Sequence, residues 1–162
     1  MLGVTSETER DFLRTLFTDN SMVELVTPQN IDWQNEQEVQ SHICEFDLGI
    51  ATLMDDELHR SKSAFKLKQY LNNGVPVLST PLPENLFFIS DGKNGFLCSD
   101  PLQFAERIEQ VRNFSTTEYL EMQKHSLLSA NLFDHNHYCE TLVNALFSNS
   151  NQNATTRRTS EY

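Results

Sequence analysis

The sequence predicts an α/β fold, and three observations lead to this prediction. Short apolar runs such as "DLGIATLM", which starts at Asp47, and "VPVLST", which starts at Val75, have the length of strands. Patterns of helical length lie between these runs, and Gly or Pro separates the segments. Nearly continuous apolar strands are typical of sheets that are covered on both faces. We therefore expect a mostly parallel sheet with helices on both sides.

The amino-terminal part predicts a helix, a strand and a second helix. Ser6 and Glu9 have the spacing of a capping box, and apolar residues then recur at helical spacing to about residue 18. The segment "MVELVT", residues 22–27, alternates and is β-branched, which predicts a strand that ends at Pro28. Residues 35–46 have the apolar period of a helix.

The central part repeats the order of strand and helix. A buried strand is expected from Asp47, and a helix is expected over residues 63–73. Gly74 follows that helix at the position where a left-handed backbone is favourable. The run "VPVLST" then predicts the next buried strand, with Pro76 near its start.

The remaining elements follow from prolines, turn dipeptides and periodicity. The prolines of "PLPENLFFIS" suit the first turn of a helix. The dipeptides Asp91-Gly92 and Asn94-Gly95 mark turns before a strand over residues 96–98. Further helices are predicted over residues 101–113, residues 117–130 and from Asp134 to Phe147.

Length and composition predict one domain followed by a tail. A chain of 162 residues with 38 % hydrophobic residues has room for one core of ordinary size. The end of the chain, "SNSNQNATTRRTSEY", contains hardly any apolar group to offset the entropy of ordering. We expect a domain over residues 1–148 and a disordered tail over residues 149–162.

Charge and cysteine content exclude several classes of protein. A net charge of -11 argues against nucleic-acid binding, which needs a basic face. No run approaches the roughly 20 apolar residues of a membrane span, and the start has no signal-peptide pattern, so a cytoplasmic location is expected. The three cysteines lack metal-ligand spacing, and we expect reduced, partly buried thiols.

A metal site is not expected. The segment "DHNH" offers His135 and His137, but residues two apart on a helix point in different directions. Helix capping by Asp134 with two exposed histidines is the simpler interpretation. No Ser/His/Asp or metal-ligating constellation was found elsewhere in the sequence.

The basic segment, residues 59–68, "HRSKSAFKLK", stands out in this acidic chain because it contains Arg60, Lys62, Lys66 and Lys68. It follows a predicted strand and enters a helix, so it lies at the carboxyl edge of the sheet, where α/β proteins bind ligands. A helix amino terminus also attracts anions. The alternative is a solvated face that balances the preceding acidic residues. We expect Lys62 and Lys66 to contact phosphate and Lys68 to face water.

Residues 23–111 resemble the carboxyl-terminal half of GT-B glycosyltransferases, in the group that includes families 1 and 4. The similarity is carried in order by "FDLGIATL", "KSAFKLKQYLNNGVPVLST" and "PENLFFISDGKNGFLC". The resemblance implies a Rossmann-like three-layer α/β/α domain that binds a nucleotide-diphosphate sugar, with no further cofactor and no bound metal. It also implies that the sugar is transferred to a glycan or lipid acceptor.

The resemblance also implies roles for particular residues. Backbone amides of the loop formed by Lys62, Ser63, Ala64 and Phe65 would hold the diphosphate, with Lys66 beside them. Gln69 stands where the family commonly has a Glu that binds the ribose hydroxyls, and the paired acid would fall at Ser61. Neither residue is acidic here, so we expect weaker nucleotide binding, because neutral hydrogen bonds are weaker than charge-assisted ones.

Two further residues, Thr27 and Pro28, follow the first full predicted strand and are candidates to flank the base. A plain transition from strand to loop explains them equally well. In the next loop, Pro83, Glu84 and Asn85 are within possible reach of a ligand, but helix capping is the simpler interpretation.

Relative to the family, the chain starts after most of the first strand of this domain and has no acceptor domain. The resemblance therefore implies a carboxyl-terminal fragment with a truncated first strand, inactive alone and requiring a separate acceptor domain. An uncovered sheet edge favours association, so a homodimer is expected. Two alternatives stay open at this point: a non-catalytic nucleotide-binding or interaction module, and a flavodoxin-like signalling domain.

Overall fold

A computed structural model describes residues 6–17, 24–28 and 30–156 of the chain. The chain divides into two compact units, residues 1–41 and residues 42–162. None of the described helices is both long enough and apolar enough to cross a membrane.

The first unit contains helix α1, Glu7–Phe17, and the start of helix α2, Glu36–Ile43. The capping box is confirmed, since the amide of Glu9 donates to Ser6 Oγ at 3.2 Å and the amide of Ser6 donates to Glu9 Oε2 at 3.3 Å. Helix α2 is shorter than predicted and gives way to a turn after Ile43.

The strand predicted over residues 22–27 is wrong where it can be compared, because the described residues 24–28 form no strand. Residues 22 and 23 lie outside the described part of the chain. The physical reason is that β propensity reflects packing in a sheet rather than a backbone preference. Alternating, β-branched residues do not form a strand unless they join a ladder.

The second unit is built on a small parallel sheet, which confirms the α/β class. The sheet consists of β1 (Gly49–Ala51), β2 (Val77–Ser79) and β3 (Gly95–Leu97), in that order. Each strand is paired in parallel with its neighbour, and Ile50, Leu78 and Phe96 stand in register. The strands are shorter than their apolar runs suggest.

Along the chain, helices connect these strands and follow the last of them. They are α3 (Glu57–Arg60), α4 (Phe65–Asn72), α5 (Pro83–Phe88), α6 (Pro101–Arg112), α7 (Thr116–Ser129), a 3-10 turn (Ala130–Leu132) and α8 (His135–Thr156). Four of them, α4 to α7, lie within two residues of their predicted bounds, whereas α3 was not predicted. Helix α8 continues past the predicted end at Phe147, so the tail predicted over residues 149–162 overlaps it as far as Thr156. Residues 157–162 lie outside the described part of the chain.

Apolar clusters cover both faces of the sheet, as expected for strands that are buried on two sides. On one face, Val77 packs in a cluster with Leu67 and Leu71 of α4 and Phe88 of α5. Its neighbour Leu78 points to the opposite face. There it packs in a cluster with residues that include Phe96, Cys98 and Met122.

The sheet connections explain why α4 and α5 share one face. Both crossovers step in the same direction along the sheet, from β1 to β2 and from β2 to β3. Parallel crossovers are almost always right-handed, so two steps in one direction place both helices on the same side. The shared cluster of α4 and α5 agrees with this rule.

Two glycines are required by the backbone at the amino ends of β2 and β3. Gly74 has φ of 72°, the left-handed conformation predicted for the residue that ends α4. At Gly95, an added Cβ would collide with the carbonyl oxygen of Val77. Only glycine allows β3 to approach β2 this closely.

The three cysteines are free thiols, but only Cys98 is buried. Cys44 and Cys139 are exposed, so the expectation of partial burial is wrong for these two. The predicted cap at the start of α8 is present, since Asp134 Oδ2 accepts from the amide of Asn136 at 3.1 Å.

Candidate functional site

The carboxyl edge of the sheet contains a cleft of about 380 Å³, which we call the edge cleft. It is lined by residues 50–53, which include the end of β1, by residues 62–67, which lead into α4, and by Asn85 of α5. This volume lies in the range of about 300–1,000 Å³ that is usual for small-molecule sites. The position at the carboxyl ends of parallel strands is the one expected for a ligand site in an α/β fold.

Five of the predicted site residues meet in the edge cleft: Lys62, Ser63, Ala64, Phe65 and Lys66. Gln69 is one turn further along α4 and is not among the residues that line it. Thr27 and Pro28 belong to the first unit, in a described segment without regular secondary structure. Their roles in binding stay predictions.

Two of the four cations in the basic segment are neutralised by the protein. Arg60 forms a two-pronged ion pair with Asp55, in which Nη2 donates to Oδ2 at 3.0 Å. Lys68 Nζ lies 2.7 Å from Glu84 Oε1 and 4.6 Å from the centre of the Phe88 ring. The prediction that Lys68 faces water is therefore wrong, because its side chain is only 27 % exposed.

The other two cations, Lys62 and Lys66, form no ion pair with any carboxylate in the described part of the chain. Both are exposed, and both line the edge cleft. In a chain with a net charge of -11, unpaired lysines in a cleft are a local reversal of the overall charge. The sign of this cleft therefore favours an anion.

Backbone amides add to this positive character. The amide of Lys62 donates to the carbonyl of His59 at 3.2 Å, and that of Phe65 donates to the carbonyl of Ser63 at 2.8 Å. The amides of Ser63, Ala64, Lys66 and Leu67 donate to no group in the described part of the chain. Unsatisfied amides at a helix start are donors for a bound anion. The free amides therefore differ from the predicted loop of residues 62–65, because they extend two residues further, to Leu67 in α4.

Helix α3 orders the loop that precedes these amides. The carboxylate of Asp56 caps α3, accepting from the amide of His59 at 2.8 Å and lying 2.7 Å from its Nδ1. These contacts, the backbone one first, hold the pKa of Asp56 below its usual range. The Arg60 guanidinium lowers the pKa of Asp55 in the same way. The acidic residues before the basic segment thus fix its first turn and leave Lys62 and Lys66 unpaired.

A buried polar network ties the edge cleft to the sheet. Asn85 Nδ2 donates to Ser79 Oγ at 2.7 Å and to the carbonyl of Thr80 at 3.0 Å. Ser79 Oγ donates in turn to the carbonyl of Ala51 at 3.1 Å. Thr80 Oγ1 accepts from the amide of Leu53 at 3.2 Å. These bonds join α5 to the carboxyl ends of β1 and β2.

Sequence reasoning undervalued Asn85. Helix capping was expected to explain residues 83–85, but the cap residue of α5 is Leu82, which makes no side-chain capping bond. Asn85 is instead 3 % exposed and lines the edge cleft. A buried Asn inside a short amphipathic helix is the only signal that the sequence carries, and it becomes visible once the helix face is known.

A second, mainly apolar cleft of about 600 Å³ adjoins the first and shares Ile50, Thr52 and Leu53 with it. Its lining also includes Thr80 after β2 and the start of α6, with Phe104. Together the two clefts extend across the carboxyl ends of the sheet. The first contains the cations, and the second offers apolar surface.

The described residues contain no group of three or more His, Cys, Asp or Glu side chains that could hold a metal ion. No family model matches the chain, and no curated protein matches it.

Proposed function

We propose that the edge cleft binds the diphosphate of a nucleotide-diphosphate sugar, as the donor-binding domain of a GT-B glycosyltransferase. In this proposal the second unit is a Rossmann-like three-layer α/β/α domain. The observation that carries the proposal is the pairing of two unneutralised lysines with four unused amides in a single cleft. The site is directed at a compact anion rather than at an extended anionic surface.

The physical case rests on how phosphate groups are held. A diphosphate presents several anionic oxygens, and each accepts hydrogen bonds from backbone amides at a helix start. Lys62 and Lys66 add point charges beside the same amides. In a cleft that excludes part of the solvent, these interactions are stronger than on an open surface.

The same arrangement suits the departure of a diphosphate leaving group. As the glycosidic bond breaks, negative charge grows on the diphosphate, and fixed donors that face it stabilise the transition state. The sugar acceptor, a glycan or lipid, would be presented by a separate acceptor domain. This role comes from the resemblance to GT-B enzymes and is part of the proposal.

A second candidate function is a non-catalytic nucleotide-binding or interaction module. It is favoured by Ser61 and Gln69, which replace the acidic pair of the family, and by the position of Gln69 outside the lining of the edge cleft. Release of nucleoside diphosphate from UDP-glucose, GDP-glucose or ADP-glucose during incubation with the protein would favour an enzyme. Binding without release would agree with either candidate, because the proposed donor-binding domain is expected to be inactive without a separate acceptor domain.

Thermal unfolding in the presence of UDP, GDP and ADP tests the binding that both candidates share. A ligand that binds only the folded chain raises the melting temperature by mass action. We expect one or more of these nucleotides to raise it at millimolar concentration. No shift with any of them would contradict the proposed site.

The double variant Lys62→Ala/Lys66→Ala tests the location. The double variant should weaken nucleotide affinity by about tenfold or more, since the loss of even one charged hydrogen bond costs about 1.5–3 kcal/mol. Unfolding without ligand should be unchanged, because neither side chain is buried or paired. Lys124→Ala, on an exposed turn of α7, is the matched control. Equal affinity in the double variant and the control would exclude these lysines from the site.

A further inference from the structure

One residue of the edge cleft carries a hydrogen-bond acceptor that the protein does not use. Both donor bonds of Asn85 Nδ2 are directed at Ser79 Oγ and the carbonyl of Thr80. A carbonyl only accepts, so the atom that faces it is the nitrogen, and the amide orientation is defined. Oδ1 of Asn85 accepts no hydrogen bond from any group in the described part of the chain.

This free oxygen belongs to a residue that lines the edge cleft. Among the described residues, no fully enclosed side-chain nitrogen or oxygen lacks a hydrogen-bond partner. Oδ1 therefore retains some accessible surface, although Asn85 as a whole is 3 % exposed. Asn85 lines the edge cleft, so the little surface that this residue exposes borders the space in which a ligand would lie.

The acceptor is also held rigidly. Asn85 sits between two partners at the carboxyl end of β2, and Ser79 passes the network on to the carbonyl of Ala51 in β1. A side chain that is already fixed loses little conformational entropy when a ligand binds. Oδ1 is therefore a preorganised acceptor rather than a mobile surface group.

A neutral acceptor does not suit the diphosphate itself. Phosphate oxygens at neutral pH are acceptors, and Oδ1 offers them no hydrogen. Lys62, Lys66 and the free amides already account for that part of the ligand. The partner of Oδ1 must be a donor elsewhere in the ligand, and hydroxyl groups are the donors common to ribose and to the transferred sugar.

We propose that Asn85 is a specificity-determining residue whose Oδ1 accepts a hydrogen bond from a sugar hydroxyl of the ligand in the edge cleft. This inference rests on the proposed function, because it assumes that the cleft holds the diphosphate of a nucleotide sugar. A site built to pair with a hydroxyl rejects analogues that lack it, since Oδ1, once covered by the ligand, is then left unpaired.

Calorimetric titration with three classes of ligand tests this proposal on the full chain. The ligands are inorganic pyrophosphate, the nucleoside diphosphates UDP, GDP and ADP, and the glucose conjugates of these nucleoside diphosphates. The first has no sugar, the second adds ribose, and the third adds a glycosyl unit. Each is titrated into the parent chain, into Asn85→Leu, which branches at the same atom but has no acceptor, and into Ser126→Ala. Ser126 is buried and bonds to Asn94 at the amino end of the sheet, so its variant controls for a general loss of stability.

Asn85→Leu should bind pyrophosphate like the parent but bind a glucose conjugate about tenfold more weakly, the loss expected for one hydrogen bond to a buried acceptor. Equal weakening of the nucleoside diphosphate identifies a ribose hydroxyl, and weakening of the conjugate alone identifies a hydroxyl of the transferred sugar. Ser126→Ala should show neither effect.

Equal loss for pyrophosphate and conjugate in Asn85→Leu, or no loss for either, overturns this inference and leaves the proposed function standing. Failure of the parent chain to bind any of the ligands overturns both. If Asn85→Leu does not fold, the parent chain is titrated with 2′- and 3′-deoxy nucleotides and with deoxyfluoro sugars, in which the replaced hydroxyl can no longer donate. Affinities equal to the parent ligands for every analogue would likewise overturn the role of Asn85.

Discussion

Two buried asparagines stand at opposite ends of the sheet, and the protein uses them differently. Asn94, at the amino end of β3, is 1 % exposed. Its Nδ2 donates to the carbonyl of Phe88 at 2.8 Å and to Ser129 Oγ at 2.6 Å, and its Oδ1 accepts from the amide of Ser90 at 2.8 Å. Both ends of this amide are satisfied inside the protein.

Asn85, at the carboxyl end of β2, is almost as buried, but only its nitrogen is satisfied. Its oxygen accepts no hydrogen bond from the described residues and keeps some accessible surface, because no fully enclosed side-chain nitrogen or oxygen among them lacks a partner. Asn94 uses its whole amide within the fold, whereas we propose that Asn85 keeps its oxygen for a ligand. In this proposal, the amino end of the sheet serves the fold and the carboxyl end serves binding.

The largest expected effect is on Asn94. Asn94→Ala should lower the free energy of unfolding by about 3 kcal/mol, because three hydrogen bonds are lost and buried partners remain unpaired. Asn85→Leu should lower it by about 1–2 kcal/mol, since two bonds are lost. Urea unfolding of both variants measures the difference. A larger loss of unfolding free energy in Asn85→Leu than in Asn94→Ala would contradict the proposal that Asn94 is the more important of the two for the fold.

A smaller effect on stability is expected for the ion pair in which Glu84 neutralises Lys68 of the basic segment. Glu84→Gln should lower the free energy of unfolding by about 0.5–1 kcal/mol, because the pair is only partly buried. Nucleotide affinity should stay within twofold, since neither residue lines the edge cleft. Urea unfolding and calorimetry measure the two quantities, with Lys124→Ala as a surface control. A clear gain or loss of affinity would place Lys68 in the binding site.

The smallest expected effect is the pH dependence of helix α3. His59 holds the pKa of Asp56 below its usual value near 3.8, so the unfolded chain takes up this proton first. The cap therefore contributes fully above about pH 4–5 and is lost as the pH falls through the lowered pKa of the folded state. As the pH falls below about 4, the amide chemical shifts of α3 should move towards the values of an unfolded segment. Asp56→Asn, which keeps a capping oxygen without a titrating group, should show no such change.

Local signals in the sequence were sufficient for most of the second unit. The apolar runs, Gly74 and the prolines located the three parallel strands and the helices between them, because each signal acts within a few residues. The strand predicted over residues 22–27 depended on propensity alone, and the described part of that segment joins no sheet. Helix α3 was missed because its four residues contain no apolar period.

The candidate site was predictable only in part, for a similar reason. The sequence could place residues 62–66 together because they are consecutive and lie between a predicted strand and a predicted helix start. The pairing of Lys68 with Glu84 and the bonds of Asn85 to Ser79 and Thr80 depend on how α4 and α5 pack on the same face. Contacts between separate elements of this kind do not appear in any single stretch of sequence.

The central claim is that the edge cleft binds a nucleoside diphosphate, and amide chemical-shift mapping by NMR tests it most directly. Titration with UDP, GDP and ADP should shift the amide signals of Ser63, Ala64, Lys66 and Leu67 most, together with the side-chain amide of Asn85. The double variant Lys62→Ala/Lys66→Ala should need about tenfold more ligand for the same shifts. Shifts that cluster at the amino end of the sheet around Asn94, or none at saturating concentrations, would contradict the claim.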